Sequence, residues 1–207
     1  MLQQLFTEIR QTPLLEWIGV GFGVAQVLLA RANKIWLYPC GIISVAVSIY
    51  IFYQAGLFAE SGLNVYYLVM SFYGWWLWIK RKGQPPLQVG WSTKREWLIT
   101  AGIVVLGFVL LYLILAHFTS STVPAWDAWV SATAWAGMWL LARRRIENWV
   151  LLNISNLFAI PLLFHKGLPL YGLLTIFLFI VAILGYLEWR KILKQQNQSA
   201  PSGGFDV

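Results

Sequence analysis

The chain contains seven long apolar runs, and this feature restricts its fold more than any other. The runs cover residues of about 14–31, 36–55, 63–79, 96–117, 126–142, 149–165 and 168–189. A helix needs about 20 apolar residues to cross the hydrocarbon core of a bilayer. The runs are continuously apolar and do not alternate with a period of two, so they predict helices and not strands of a barrel. The sequence therefore predicts an all-α membrane protein with seven transmembrane helices.

The composition agrees with a membrane protein. Of the 207 residues, 59% are hydrophobic and 11% are charged, whereas a soluble domain has roughly 25% charged residues. The 13 Trp and 9 Tyr residues are typical of a chain with many ring side chains at membrane interfaces. The single cysteine, Cys40, excludes an intrachain disulfide.

The basic residues fall in clusters, and their distribution indicates an orientation. All but two of the 15 Lys and Arg residues follow the first, third, fifth or seventh run, the exceptions being Arg10 and Lys166. This pattern argues against a nucleic-acid-binding face, despite the net charge of +7. Because cytoplasmic loops are rich in Lys and Arg, the N-terminus is predicted to lie outside and the C-terminus in the cytoplasm.

The two ends of the chain differ from the apolar runs. Residues 1–13 have no signal-peptide apolar region, and they are expected to form at most a short surface helix. Residues 195–207 are polar and contain Ser, Gly and Pro, and they are expected to be a disordered cytoplasmic tail.

Similar blocks recur at offsets of 111 to 113 residues. Residues 28–31 read LLAR and so do residues 140–143, while Trp36 aligns with Trp149 and Gly74 with Gly185. The first three runs therefore resemble the last three, and the fourth restores the direction. We predict two parallel three-helix bundles, 14–80 and 126–191, joined by a linker helix over 96–117. Parallel repeats of this kind occur in transporters, whose substrates bind between the halves.

Two polar and aromatic stripes run along the third and sixth runs. The first consists of Asn64, Tyr67, Ser71, Trp75 and Trp78, and the second of Trp149, Asn153 and Asn156. Polar groups inside a span usually serve function, although they also join membrane helices by hydrogen bonds, and tryptophans near helix ends anchor to the interface. We predict that both stripes bind substrate, with amides bonding hydroxyl or carboxamide groups and indoles stacking on a flat or cationic ring.

Some chemistry is missing from the runs. No Asp, Glu, Lys or Arg lies in the middle of any run, which favours facilitated diffusion over ion coupling. His117 and His165 lie at run ends, and no zinc-protease, serine-hydrolase or phosphate-loop motif is present. We therefore expect no enzyme activity, no cofactor and no metal site.

Several motifs resemble those of the PnuC family of vitamin transporters. Residues 62–67 read GLNVYY, 71–78 read SFYGWWLW, 33–42 read NKIWLYPCGI, and 166–168 read KGL. The likeness extends from about residue 14 to 191. It implies a SWEET-like fold and assigns the site to Trp75, Trp78 and the stripe of the sixth run. Asn64 departs from the family, in which glutamine is common at that position.

The resemblance also implies a function. It indicates uptake of nicotinamide riboside across the bacterial inner membrane by uniport, with trapping by a cytoplasmic kinase, and assembly as a trimer. Transport of another vitamin, such as thiamine, by the same mechanism is an alternative. A second alternative is a membrane assembly or receptor subunit that does not transport.

Overall fold

The computed structural model describes residues 13–54, 58–79, 87–119 and 121–199 and contains seven α-helices there. They are α1 (Leu14–Arg31), α2 (Leu37–Gln54), α3 (Phe58–Ile79), α4 (Lys94–Phe118), α5 (Pro124–Ala142), α6 (Asn148–His165) and α7 (Pro169–Ser199). These residues form no strand, and the β pairing among them is one isolated bridge between Gly90 and Arg145. The predicted all-helical fold is confirmed.

Five of the helices, α1, α2, α4, α6 and α7, are long and apolar enough to cross a membrane by length and composition alone, among the residues described. Helices α3 and α5 contain more Trp than the other helices, with three and four respectively.

The observed bounds differ from the predicted ones mainly at two ends. Helix α3 begins at Phe58 and not near residue 63. Helix α7 continues to Ser199, so the predicted disorder does not hold for residues 195–199. The end of this helix reads KQQNQ, and Lys and Gln are good helix formers. Residues 200–207 and the surface helix predicted within 1–13, apart from Pro13, lie outside the described residues.

Six of the helices form a closed ring. The packing order is α1, α2, α3, α5, α6, α7 and back to α1, while α4 lies outside the ring along α5. The first bundle is α1 to α3 and the second is α5 to α7. The bundles meet along two seams, α1 with α7 and α3 with α5.

The same contacts occur in both bundles. Ser44 donates to the carbonyl of Gly19 at 2.7 Å, and Ser155 donates to that of Val130 at 2.7 Å. Both bonds join the second helix of a bundle to the first, and they fix a short separation between the two backbones. The turns between these helices also match, because Asn33 has a φ of 53° and Arg144 a φ of 54°.

These contacts correct one pairing expected from the sequence. Tyr38 packs against Gly74 just as Trp149 packs against Gly185, so Tyr38 is the counterpart of Trp149. Trp36, which was aligned with Trp149, is 66% exposed, whereas Trp149 is 1% exposed. The sequence alignment paired Trp36 with Trp149 because both are tryptophan, but the matching turns of the two bundles pair Tyr38 with Trp149.

Alanine at Gly74 or Gly185 is expected to destabilise the protein. A methyl group at Gly185 would lie 2.7 Å from the ring of Trp149, and one at Gly74 would meet Tyr38. We expect each substitution to lower the unfolding free energy by about 1–3 kcal/mol, the usual range for overpacking. Thermal unfolding in detergent measures the change. Gly102→Ala is the control, because a methyl group there meets nothing within 4 Å; equal stability of all three variants would contradict the packing.

Candidate functional site

A cavity of about 330 Å³ lies between α1, α2 and α7. Its polar lining residues are Glu16, Gln26, Ser44, Ser48 and Tyr171. We call it the central cavity. Its volume is near the lower limit of the roughly 300–1,000 Å³ that is usual for small-molecule sites.

The helix faces that line the cavity point into the ring. In α1, Leu14 and Ile18 are exposed, and Gly23 and Val27, on the opposite side of the helix, line the cavity. In α2, Ser48 and Phe52 lie on the side away from the exposed Ile43 and Tyr50. In α7, Leu174 and Leu178 lie opposite the exposed Ile180 and Leu187. The central cavity is therefore interior to the ring and is not a groove on its outer surface.

The polar groups of the cavity differ in how they are bonded. Ser48 donates to the carbonyl of Ser44 at 3.0 Å, within α2. The amide of Gln26 lies against Gly41, where any side chain would collide with it. Gln26 has no hydrogen bond to another described residue, so its amide is available to a ligand.

The ring is closed at the other end by a cluster that we call the aromatic plug. It comprises Ala30, Leu37, Tyr38, Val89, Leu141, Ile146, Trp149, Ala182 and Trp189. All are almost fully buried, and Trp75 and Trp78 pack against them. Ala30 lies in the last turn of α1 and Glu16 in its first, so the plug and the cavity residue Glu16 are at opposite ends of the ring.

Indole groups join the two bundles at the plug. The indole N–H of Trp189 donates to the carbonyl of Ala30 at 3.0 Å, and that of Trp78 donates to Ala142 at 3.1 Å. Each bond crosses one seam. Next to the Trp189 bond, Arg31 and Glu188 form a bidentate ion pair with N–O distances of 2.8 and 3.0 Å.

The turn between α5 and α6 supports the second seam. The guanidinium of Arg144 lies 3.7 Å from the centre of the Trp78 ring, a cation–π contact, and donates to the carbonyl of Leu87. Burial lowers the pKa of Arg144, but a guanidinium stays charged in proteins. Gly90 bonds both sides of this turn at 3.0 and 3.1 Å, and Arg145 pairs with Glu96 at 3.0 Å.

Comparison with known proteins identifies the family of this ring. Residues 13–191 match the profile described as nicotinamide mononucleotide transporter. The chain belongs to this family. It is 25% identical to the nicotinamide riboside transporter PnuC of Escherichia coli (strain K12) over 215 residues, 91% of this chain and 90% of the relative. It is 26% identical to the PnuC of a Neisseria mucosa strain over 188 residues, 84% of this chain and 71% of the relative.

A solved structure has the same fold. The crystal structure of the vitamin B3 transporter PnuC matches with a TM-score of 0.70 and 25% identity, covering 93% of this chain and 87% of the other. The expected membership in the PnuC family is confirmed, and so are the two bundles joined by a linker helix. As a member of the family, the chain is an integral membrane transporter and not an enzyme.

The residues of the stripe predicted on α3 lie on the side of the helix away from its exposed residues. Val65, Val69 and Phe72 are exposed, whereas Ser71 is buried and donates to the carbonyl of Tyr67 at 2.8 Å. At the plug end of the stripe, Trp75 and Trp78 reach the plug. Asn64 and Tyr67, nearer the other end, are half-buried.

The stripe predicted on α6 lies differently. Trp149 is part of the plug and meets Trp189 edge to face at 5.7 Å. Asn153 lines a groove of about 340 Å³ between α6 and α7, whose walls include the exposed Val150 and Leu157. This groove lies on the outer surface of the ring and not in its interior. Asn156 is half-buried and turned away from Leu157.

The structure brings only part of the predicted site together. Trp75, Trp78 and Trp149 meet at the plug, but α3 and α6 do not pack against each other within the described residues. None of the eight predicted residues lines the central cavity. The cavity residues Ser44 and Ser48 were missed, although their spacing of four places both on the inward side of α2.

Labelling of introduced cysteines tests the cavity. In a Cys40→Ala background, we expect Ser48→Cys to react with a membrane-impermeant methanethiosulfonate reagent, because a thiol that faces a solvent-accessible cavity ionises more readily than one in lipid. Ile43→Cys, on the exposed side of α2, is the control and is expected to react at least about tenfold more slowly in lipid. Faster labelling at residue 43 would show that the inward side has been assigned wrongly.

Proposed function

We propose that this protein carries nicotinamide riboside across the bacterial inner membrane by facilitated diffusion through the interior of the ring. The observation that carries the proposal is a cavity inside a ring of six helices that is closed at one end by the aromatic plug. A carrier needs a site open to one side and a barrier toward the other. The names of the relatives supply the substrate.

The charge of the cavity favours the riboside over the mononucleotide of the family description. Among its described lining residues there is no Lys, Arg or His. A phosphate group that leaves water needs cationic or strong hydrogen-bond partners. The riboside has no phosphate, so its hydroxyl and carboxamide groups need only neutral partners such as Gln26, Ser44 and Ser48.

We propose that the predicted stripes act at a later stage of transport. The indole nitrogen of Trp149 and the amide oxygen of Asn153 are buried and have no hydrogen-bond partner among the described residues. Buried polar atoms normally have partners, which supports a role for both when the plug rearranges around a substrate. Trp75 and Trp78 would then stack on the pyridinium ring, while Asn64, Tyr67, Ser71 and Asn156 would bond the ribose and the carboxamide.

The basic clusters support an orientation. Arg31, residues 143–145 and Arg190 lie at the plug end of the ring. Because Lys and Arg concentrate on the cytoplasmic side, we propose that the plug faces the cytoplasm, the N-terminus faces outward, and the cavity opens outward. We also propose that the bundles are copies of one unit, and that the protein forms a trimer, as the family resemblance implies.

The two seams differ in a way that supports a direction for the opening movement. Polar and ring contacts extend along the α3–α5 seam, where Tyr66 donates to the carbonyl of Trp135 at 2.9 Å and stacks on its ring. Tyr73 and Trp139 stack further along. At the α1–α7 seam the bonds described occur at the plug end, and the cavity lies between the helices beyond them. We propose that α1 and α7 separate while α3 and α5 act as the hinge.

Cross-linking tests this difference in the Cys40→Ala background. A short bifunctional thiol reagent that joins Arg31→Cys to Glu188→Cys is expected to reduce uptake at least about tenfold, because α1 and α7 can then no longer separate. The matched pair Tyr73→Cys and Trp139→Cys lies on the other seam, and its cross-linking is expected to leave more than about half of the uptake. Each variant is compared with itself before the reagent is added. Loss of uptake on cross-linking the second pair but not the first would show that the helices separate at the α3–α5 seam instead.

Uptake into liposomes tests uniport and its substrate. A monovalent cation that crosses alone follows the membrane potential, at about 2.3 kcal/mol per 100 mV. Labelled nicotinamide riboside is therefore expected to accumulate about tenfold at roughly 60 mV, inside negative, and further accumulation should require an enclosed kinase and ATP. Accumulation that follows an imposed proton or sodium gradient would contradict uniport. Preferential uptake of thiamine would show that thiamine, and not nicotinamide riboside, is the substrate. No uptake of either compound would favour a non-transporting subunit.

A further inference from the structure

We propose that Glu16 makes the central cavity selective for a positively charged substrate ring, an inference that rests on the proposed function. Glu16 lies in the first turn of α1, where it is half-buried and lines the cavity. It is the one acidic group among the described lining residues. The remainder of the lining is apolar or neutral.

The carboxylate of Glu16 has no counter-charge within the described part of the chain. No described Lys, Arg or His forms an ion pair with it, and none lines the cavity. The corresponding acid of the second bundle differs. Asp127, in the first turn of α5, pairs with Lys166 at 2.6 Å. Thus one acid is neutralised by its own bundle, whereas the other leaves its charge at the cavity.

An unneutralised carboxylate in a narrow cavity attracts cations. Walls of low polarizability confine the field of a charge, and this raises the local concentration of oppositely charged solutes. Phe52 and Tyr171 also line the cavity, and aromatic faces attract cationic rings. The pyridinium ring of nicotinamide riboside has the charge and the flat shape that this set recognises, and a phosphate group is repelled by the same carboxylate.

A neutral analogue isolates the contribution of charge. Reduction of the pyridinium ring to the 1,4-dihydropyridine removes the charge of nicotinamide riboside and keeps nearly the same shape. The KM for nicotinamide riboside and the inhibition constant of its reduced form are measured in liposomes. They are compared in the wild type and in Glu16→Gln, Glu16→Asp and Asp127→Asn.

For Glu16→Gln we expect the KM for the riboside to rise about tenfold, a value that allows for solvent screening of a half-exposed carboxylate. The inhibition constant of the reduced form is expected to stay within about twofold. Glu16→Asp keeps the charge and should keep most of the preference for the cation. Asp127→Asn removes an acid from the same end of the ring but outside the cavity, and it should leave the preference unchanged.

The outcomes separate this inference from the proposed function. If the wild type transports nicotinamide riboside and Glu16→Gln keeps the same preference for the charged compound over the reduced one, the role of Glu16 is overturned and the proposed function stands. An equal loss of affinity for both compounds in Glu16→Gln would also overturn it, because that result indicates a structural role. No uptake of nicotinamide riboside by the wild type would overturn the proposed function and this inference with it.

Discussion

Two indole N–H groups that cross between the bundles close the ring, and the remaining architecture depends on them. Trp189 and Trp78 each donate to a carbonyl at the C-terminal end of the first helix in the opposite bundle. Carbonyls in the last turn of a helix have no partner within the helix. The Trp78 bond gives the carbonyl of Ala142 a donor, whereas the carbonyl of Ala30 accepts from Trp189 and also, at 2.9 Å, from the backbone N–H of Asn33 in the following turn. The plug is therefore both a barrier and a helix cap. A movement that breaks the Trp78 bond must give the carbonyl of Ala142 water or another donor.

The similarity of the two bundles makes their differences informative. The turns, the serine bonds and the aromatic pairs on glycine recur in both. The linker helix α4, however, packs along α5 and also touches α3, so α5 is almost wholly covered while α1 keeps an exposed face that includes Leu14 and Ile18. This asymmetry supports the proposal that α1 moves while α5 stays in place. A ring of two similar halves thus has one supported seam and one less supported seam.

Most of the fold could be predicted from the sequence, whereas only part of the site could. Helix positions follow from the length of apolar runs, because a bilayer requires a fixed span and internal hydrogen bonds. The inward face of α3 was also predictable, since its polar residues share one side. The inward position of Gln26 was not, because a single amide in an apolar helix gives no period, and the space for its side chain depends on Gly41 in the next helix. The position of α6 away from both seams depends on packing order, which hydropathy does not encode.

The plug has an electrical consequence. In the proposed function, water in the outward-open central cavity would conduct the potential of one membrane side deep into the ring, and the voltage difference would fall over the short distance occupied by Tyr38, Trp149 and Trp189. A thin barrier experiences a steeper field than a full bilayer. A charged solute in the cavity would therefore cross almost all of the voltage in one step, at the proposed rearrangement of the plug. Membrane potential would then act on the gating step and hardly at all on the initial binding.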